Sequence, residues 1–163
     1  MKLSYKLLLG FYLTVLLWLI LFKFSFDIVT VIEHHQTRTL NLIPFAGLSH
    51  STVREMIENV AVFVPLGLLF GIASRPKRFW QKLGIISAVS LGVEIIQFIF
   101  GIGITDITDF ITNTLGGLIG LSLYTLGSKY IDGKVLNRCI ASILLVVLAV
   151  ILFLRLFVLK VRY

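Results

Sequence analysis

The sequence predicts an all-α membrane protein, a polytopic helical bundle of about five transmembrane helices with a long first external loop. Two observations lead to this prediction. Of the 163 residues, 58% are hydrophobic and only 14% are charged, and the mean hydropathy is +1.00. The apolar residues also gather in five stretches whose lengths approach the ~20 residues that a helix needs to cross the hydrocarbon.

The five stretches follow one another with short connections and one long one. The first follows Lys2 and Lys6 and has no small-residue cleavage site after it, so it is interpreted as a retained span rather than a signal peptide. Five spans with four connections use nearly every residue, so 1–163 is expected to form a single membrane domain. The predicted spans are residues 7–22, 57–73, 83–100, 110–127 and 139–159.

The second span and the connection before it contain polar residues and a proline. Arg54 and Glu58 have the i, i+4 spacing of a helix surface pair, and Asn59 follows them directly. Pro65 lies inside the span and is expected to bend it around a polar centre. The connection at residues 23–56 is long for a small membrane protein, so we expect it to fold back over the outer mouth of the bundle.

Basic residues between the spans predict the orientation, because cytoplasmic loops hold an excess of Lys and Arg. With a cytoplasmic N-terminus, nine face the cytoplasm: Lys2, Lys6, Arg75, Lys77, Arg78, Lys82, Lys129, Lys134 and Arg138. Five face outward: Lys23, Arg38, Arg54, Lys160 and Arg162. The sequence therefore predicts a cytoplasmic N-terminus and an external C-terminus. The net charge of +7 is then explained by topology and by contact with membrane lipids, and it requires no nucleic-acid partner.

The third span contains polar side chains within an otherwise apolar pattern. Ser90, Glu94 and Gln97 follow the three-to-four residue step that places side chains on one helix face. Carboxylates and carboxamides at membrane depth are costly, so they normally face a protein interior or a wet cavity and mark function. A protonated glutamate bonded to a neighbouring helix is the structural alternative.

The start of the fourth span has a similar pattern. Asp106, Asp109 and Asn113 share one face if the helix begins at Asp106. Helix capping would explain one polar residue here, expected to be Thr108 or Asp109. The glycines that follow are expected to let this helix approach another closely.

The chemistry of this constellation stays open. Glu94, Asp106 and Asp109 offer oxygen ligands suited to Mg²⁺ or Ca²⁺, and they equally offer acid and base groups. The sequence contains no P-loop, nucleophile elbow, HExxH or CxxC motif, so no cofactor is implied and a metal is left undetermined.

Four motifs in order resemble the VanZ family, and the resemblance covers almost the whole chain. Each motif alone is weak, whereas the four with this spacing are specific. The motifs are Asn41-Leu42-Ile43-Pro44-Phe45, Glu58-Asn59-Val60 with Phe63-x-Pro65-x-Gly67, Ser90-x-x-x-Glu94-x-x-Gln97, and Asp106-x-x-Asp109-x-x-x-Asn113-Thr114-x-Gly116-Gly117.

The resemblance implies a protein of the bacterial cell membrane that lowers susceptibility to teicoplanin and related lipoglycopeptides. We expect it to bind a lipid-linked cell-wall component, such as a lipid-linked peptidoglycan precursor, or to alter antibiotic access at the outer leaflet. The alternative is an intramembrane enzyme that modifies a lipid or lipid-linked envelope precursor, with Glu94, Asp106 and Asp109 as acid-base or metal-binding groups.

This chain departs from the family pattern at one place. Many members have an arginine shortly before the acidic pair, where this chain reads Gly101-Ile102-Gly103-Ile104-Thr105. A mechanism that needs that arginine would require a substitute such as Arg38. The candidate ligand-binding residues are Arg38, Asn41, Glu58, Asn59, Ser90, Glu94, Gln97, Asp106, Asp109 and Asn113.

Overall fold

The computed structural model describes residues 2–22, 39–46, 49–74, 77–102 and 104–154. The predicted all-α membrane bundle is confirmed, with five helices and two short strands in this part of the chain. They follow in the order α1 (Lys2–Phe22), β1 (Thr39–Asn41), α2 (His50–Ala73), α3 (Phe79–Phe100), β2 (Ile104–Asp106), α4 (Ile107–Tyr130) and α5 (Gly133–Phe153).

Four of the described helices, α1, α2, α3 and α5, are long and apolar enough to cross a membrane. The span expected at residues 110–127 falls within α4, which is not one of the four. Asp109, Asn113 and several glycines make α4 less apolar, and most of these residues are turned inward: Asn113 is only 1% exposed. Because neighbouring helices shelter its polar face from lipid, α4 stays a predicted span.

α2 lies at the centre of the bundle. Phe63, Leu66 and Leu69 of this helix have no exposed surface, and they pack in one core cluster with residues of all four other helices. α1 is fixed to it by a hydrogen bond from the Tyr12 hydroxyl to the Val62 carbonyl oxygen, 2.7 Å long. Apolar burial against lipid gives no hydrophobic gain, so such close packing and hydrogen bonds hold the helices together.

α2 and α4 approach until their backbones touch. A Cβ atom at Gly120 would collide with the Val64 carbonyl oxygen, and one at Gly67 would collide with the Gly117 carbonyl oxygen. The expectation that glycines let the fourth helix approach another closely is confirmed. This contact also places the beginning of α4 beside the beginning of α2.

Local signals set the helix ends near the site. Ser49 caps α2 by accepting a hydrogen bond from the Thr52 amide at 3.2 Å, so this helix begins at His50 instead of residue 57. α3 ends at Gly101, whose φ of 65° is left-handed and suits a residue without a Cβ atom. The chain then turns back at once towards β2.

The two strands were not predicted from the sequence. β1 and β2 form a parallel pair with Thr39 opposite Ile104, Leu40 opposite Thr105, and Asn41 opposite Asp106. The strand pair ties the end of the first long connection to the segment that starts α4. Residues 39–46 therefore lie against the mouth of the bundle, and residues 23–38 of this connection lie outside the described residues.

Candidate functional site

A cavity of about 790 Å³ lies at the end of the bundle where α1 and α3 end and α2 and α4 begin. This volume is within the usual range for sites that bind small molecules. Leu19 and Ile20 of α1 and Val62 of α2 provide part of its apolar wall. The polar wall is formed by Asn41, Thr52, Glu55, Glu58, Asn59, Gln97, Asp106, Thr108 and Asp109.

Asp106 is held from several directions. Its Oδ2 accepts a hydrogen bond from Asn41 Nδ2 at 2.9 Å, and its Oδ1 accepts one from the Thr108 amide at 2.7 Å. Asp106 is therefore the N-cap of α4, and the expectation that Thr108 or Asp109 caps this helix is wrong. Asn41 reaches the carboxylate because the strand register places the two residues directly opposite each other.

Asp109 is positioned by the contact between α2 and α4. Asn59 Nδ2 donates a hydrogen bond to Asp109 Oδ1 at 2.8 Å. Asp109 lies less than one helical turn after Asp106 on α4, and Asn59 directly follows Glu58 on α2. The Asn59 amide and the three carboxylates therefore share one wall. Asn59 thus orients the Asp109 carboxylate in the same way that Asn41 orients the Asp106 carboxylate.

Hydrogen bonds hold the turn after β1 against the polar cavity. The Phe45 amide donates to Thr108 Oγ1 at 3.0 Å, and the Ile43 amide donates to Asn41 Oδ1 at 3.2 Å. Phe45 adopts a φ of 59°, a left-handed conformation that is uncommon for a bulky residue. Such backbone strain persists where surrounding contacts hold it, and it is frequent at functional sites.

Glu94 reaches Asp106 from α3, and it lies inward on the same helix face as Ser90. Glu94 Oε2 accepts a hydrogen bond from the Asp106 backbone amide at 3.1 Å, and the Glu94 side chain is only 5% exposed. Leu91 and Ile95, which flank Glu94 on the helix, are each 50% exposed. The inward orientation predicted for the polar face of the third span is confirmed.

An apolar pocket of about 260 Å³ adjoins the polar cavity. Asp106 lines both, so this residue stands where they meet. Glu94 is the other acidic residue beside this pocket, and the surface of the pocket is almost entirely hydrocarbon. The pocket is lined by Leu40, Leu42, Leu91, Glu94, Ile95, Phe98, Thr105, Asp106, Ile107 and Phe110.

The wall of the polar cavity is acidic, with the carboxylates of Glu55, Glu58, Asp106 and Asp109. Arg54 Nε pairs with Glu58 Oε1 at 2.7 Å, which confirms the predicted i, i+4 pair. No basic side chain within the described ranges forms a salt bridge with the other three acids. The cavity therefore favours ligand groups that are positively charged or rich in hydrogen-bond donors.

Most of the predicted site residues meet here, and the others lie nearby. Asn41, Glu58, Asn59, Gln97, Asp106 and Asp109 line the polar cavity, and Glu94 lines the apolar pocket. Ser90 and Asn113 line neither; they are buried deeper, at 0% and 1% exposure. Arg38 lies outside the described residues.

Three polar lining residues were not predicted, namely Thr52, Glu55 and Thr108. Glu55 is four residues before Asn59, so the helical period of α2 already placed the two on one face. Thr108 is held by the Phe45 amide, 63 residues away in sequence, and no local signal predicted that contact. Within the ranges that the structure describes, no three His, Cys, Asp or Glu side chains are grouped so as to hold a metal ion.

Residues 9–128, which include this site, resemble a known protein family. A model of the VanZ/LLP1 family matches residues 9–128. The chain belongs to the VanZ/LLP1 family. The matched segment contains the residues of both pockets, so the site described above lies inside the part shared with the VanZ/LLP1 family. Protein VanZ of Enterococcus faecium is 48% identical over 146 residues, covering 88% of this chain and 89% of that protein. No solved structure matches the chain.

Proposed function

We propose that this VanZ/LLP1 member binds an amphiphile at the outer leaflet and thereby lowers susceptibility to teicoplanin and related lipoglycopeptides. The observation that carries the proposal is the pair of adjoining pockets, one polar and one apolar, with Asp106 on the wall of both. An amphiphile bound there places its hydrocarbon chain against Leu91, Ile95 and Phe98. Its polar part lies in the acidic cavity.

The acidic wall favours a polar part that donates hydrogen bonds. Asn41 Nδ2 and Asn59 Nδ2 each already donate one hydrogen bond, to Asp106 and Asp109, so the carboxylates supply most of the acceptors. Amino, amide and hydroxyl groups of sugars and peptides match such a wall. A lipid-linked peptidoglycan precursor and a lipoglycopeptide both combine such groups with an acyl or polyprenyl chain.

The proposal also needs the cavity on the outer side. With the N-terminus in the cytoplasm and the C-terminus outside, the ends of α1 and α3 and the starts of α2 and α4 face outward. A lipid-bearing antibiotic or its lipid-linked target then meets the cavity from the outer leaflet.

A matched pair of substitutions tests the role of the cavity. Asp106 and Asp132 are both helix N-caps, of α4 and α5, and asparagine caps a helix as well as aspartate does. In a susceptible Gram-positive host at equal expression, Asp106→Asn should lose most protection against teicoplanin, because it removes the charge at the boundary of the pockets. Asp132→Asn should protect like the unsubstituted protein. Full protection by both variants would contradict the proposal.

Binding measurements identify which amphiphile is used. The purified protein in detergent is titrated with teicoplanin, with a similar glycopeptide that lacks an acyl chain, and with a lipid-linked peptidoglycan precursor. Binding of teicoplanin indicates capture of the antibiotic, and binding of the precursor indicates shielding of its target. In either case Asp106→Asn should weaken binding and Asp132→Asn should not. Binding of neither amphiphile would contradict the proposal.

A second function, an intramembrane enzyme, is favoured by one observation. The Asp106 backbone amide donates a hydrogen bond to Glu94 Oε2, so the two acidic residues are neighbours where the pockets adjoin and where the bond between a head group and its chain would lie. These carboxylates are suited to acid and base roles. Lipid extracts of cells with and without the protein separate the two functions: a lipid species gained or lost requires the enzyme, and unchanged lipids with altered antibiotic binding support the binding protein.

A further inference from the structure

The apolar pocket opens through the side of the bundle. Five of its lining side chains are between 41% and 66% exposed, namely Leu40, Leu42, Leu91, Ile95 and Phe98. Three of the five belong to α3, which is long and apolar enough to cross a membrane. Exposed apolar side chains on such a helix face lipid chains, which are as apolar as leucine. The open side of the pocket therefore faces the hydrocarbon of the bilayer.

The pocket extends through most of one leaflet. Leu91 lies nine residues before Phe100, the last residue of α3, which corresponds to about 14 Å at the helical rise of ~1.5 Å per residue. Half of a hydrocarbon core of ~30 Å is about 15 Å. Phe98 and Leu91 therefore mark the depth at which the acyl chains of one leaflet lie. This is the leaflet on the side of the polar cavity, which is predicted to be the outer one.

The strand β1 separates the apolar pocket from the polar cavity. Leu40 and Leu42 line the apolar pocket, and Asn41 between them lines the polar cavity, because successive side chains of a strand point to opposite faces. β1 pairs with β2, and Thr105 Oγ1 of β2 donates a hydrogen bond to the Glu94 carbonyl oxygen of α3 at 3.3 Å. The strand pair is thus a wall that hydrogen bonds hold beside α3, with hydrocarbon on one face.

The chemistry of the pocket matches a hydrocarbon chain and does not match water. Its surface is almost entirely apolar, so water would find too few hydrogen-bond partners there. Its volume of about 260 Å³ exceeds the ~150 Å³ at which a cavity lined by Leu, Ile and Phe binds benzene. The acyl chains of the adjacent leaflet are the apolar groups that lie against its open side.

We infer that the apolar pocket is a lipid groove, which in the membrane holds a segment of one phospholipid acyl chain from the leaflet on the cavity side. The inference concerns the protein with its membrane lipids alone, so it does not require the proposed function. Where the proposed function holds, the groove adds a route: an amphiphile enters sideways from the leaflet and displaces the resident chain. The protein then acts on molecules that have already inserted their chains into the membrane.

Fluorescence quenching tests whether an acyl chain occupies the lipid groove. Trp18 and Trp80 are replaced by phenylalanine, and a single tryptophan is introduced by Phe98→Trp in the groove or by Phe11→Trp as the control. Phe11 is 47% exposed on α1 and lines neither pocket. Both purified proteins are kept in a sterol-based detergent, which has no flexible chain to fill the groove. They are titrated with phosphatidylcholine whose acyl chains carry bromine, a contact quencher of tryptophan.

We expect the tryptophan at position 98 to be quenched at least twofold more than the one at position 11 at low ratios of lipid to protein. The quenching at position 98 should also saturate, because a chain bound in the groove stays in contact with it. If Phe98→Trp does not yield a monodisperse protein, Leu42→Trp on the facing wall repeats the measurement. Equal quenching inside the groove and at position 11 would overturn the inference. A second copy of the chain seated on the groove would give that result by shielding it from lipid.

A matched pair of substitutions assigns the quenching to the lipid groove. Ile95→Phe adds bulk to the groove wall and should reduce the quenching at position 98. Ile143→Phe, at a site on α5 that is 62% exposed and lines neither pocket, should leave the quenching unchanged. Quenching that resists Ile95→Phe would also overturn the inference. Because no antibiotic or cell-wall precursor is added, failure here is distinct from failure of the proposed function.

Discussion

Asp106 connects three separate segments of the site through its own atoms. Its carboxylate accepts from Asn41 of the strand pair and from the Thr108 amide of α4, and its backbone amide donates to Glu94 of α3. Each contact removes some freedom of the side chain, and hydrogen bonds to an ionised group are the stronger ones. The carboxylate is thus presented in one orientation where the two pockets meet.

Replacing Glu94 by glutamine removes the charge of the side chain and keeps its shape. Glu94→Gln conserves volume and keeps a carbonyl oxygen for the Asp106 amide, so the protein should fold and insert normally. Most protection against teicoplanin should nevertheless be lost, because the acidic group beside Asp106 is gone. The measurement is the inhibitory concentration at matched expression. If the variant protects as well as the unsubstituted protein, the role of Glu94 is structural.

Two asparagines allow the interhelical hydrogen bond itself to be tested. Asn59 donates to Asp109 inside the cavity, and Asn137 accepts from the Tyr124 hydroxyl on α4 well away from it. Replacing either by alanine should lower the free energy of unfolding by about 0.5–1.5 kcal/mol, because each change removes one interhelical hydrogen bond.

Only the cavity variant should lose function. Asn59→Ala should reduce protection at equal expression, since Asp109 loses the amide that orients it, whereas Asn137→Ala should protect normally. Unfolding in detergent measures stability, and inhibitory concentrations measure function. Equal loss of protection in both variants would assign the effect of Asn59→Ala to stability alone.

The sequence predicted the site contacts that repeat within one helix, but not the contacts between residues far apart in the chain. The helical period was enough to place Ser90, Glu94 and Gln97 on one buried face, because those contacts repeat within one helix. The bond between Asn41 and Asp106 spans 65 residues and depends on the strand register. No local pattern encodes such a contact, and three-residue strands leave almost no alternation to detect.

At the level of helices, the glycines of α4 decide how the site is assembled. Gly120 packs against the backbone of α2 at Val64, and this approach brings Asp109 to Asn59. The sequence predicted close packing from glycine content, but it did not identify the partner helix. It also placed the start of α2 too late, because the first turns after Ser49 are polar and only the later turns read as a span.

An alanine substitution should distinguish a glycine that the helix contact requires from one that faces open space. Gly120→Ala places a Cβ against the Val64 carbonyl oxygen, so the helices must move apart, and the expected cost is about 1–3 kcal/mol of stability. Gly84→Ala is the control, because nothing lies within 4 Å of its Cβ position. That change should be neutral or stabilise by about 0.5–1 kcal/mol, since alanine favours the helix.

Thermal unfolding in detergent distinguishes these outcomes. Gly120→Ala should unfold at a lower temperature than the parent protein, and its protection against teicoplanin should fall as α4 shifts away from Asn59. Gly84→Ala should match the parent in both respects. An unchanged unfolding temperature for Gly120→Ala would show that the two helices are not held as closely as the structure places them.

For the whole molecule, orientation decides whether the cavity meets the outer leaflet. The described elements put the cavity at one end of the bundle, and the connection between α4 and α5, which Lys129 and Lys134 flank, at the other. The excess of basic residues near this second end predicts that it is cytoplasmic. The fold is the same whether the cavity faces the outer leaflet or the cytoplasm, so the basic residues decide the predicted orientation.

Labelling of intact cells tests the orientation directly. In a Cys139→Ser background, a cysteine replaces either Ile43, which is 69% exposed beside the cavity, or the exposed Lys134 at the far end. A membrane-impermeant maleimide should label position 43 in intact cells and position 134 only after permeabilisation. The labelling efficiency of both positions in permeabilised cells serves as the control. The reverse pattern would place the cavity in the cytoplasm, and an antibiotic acting at the outer surface would then have no route to Asp106.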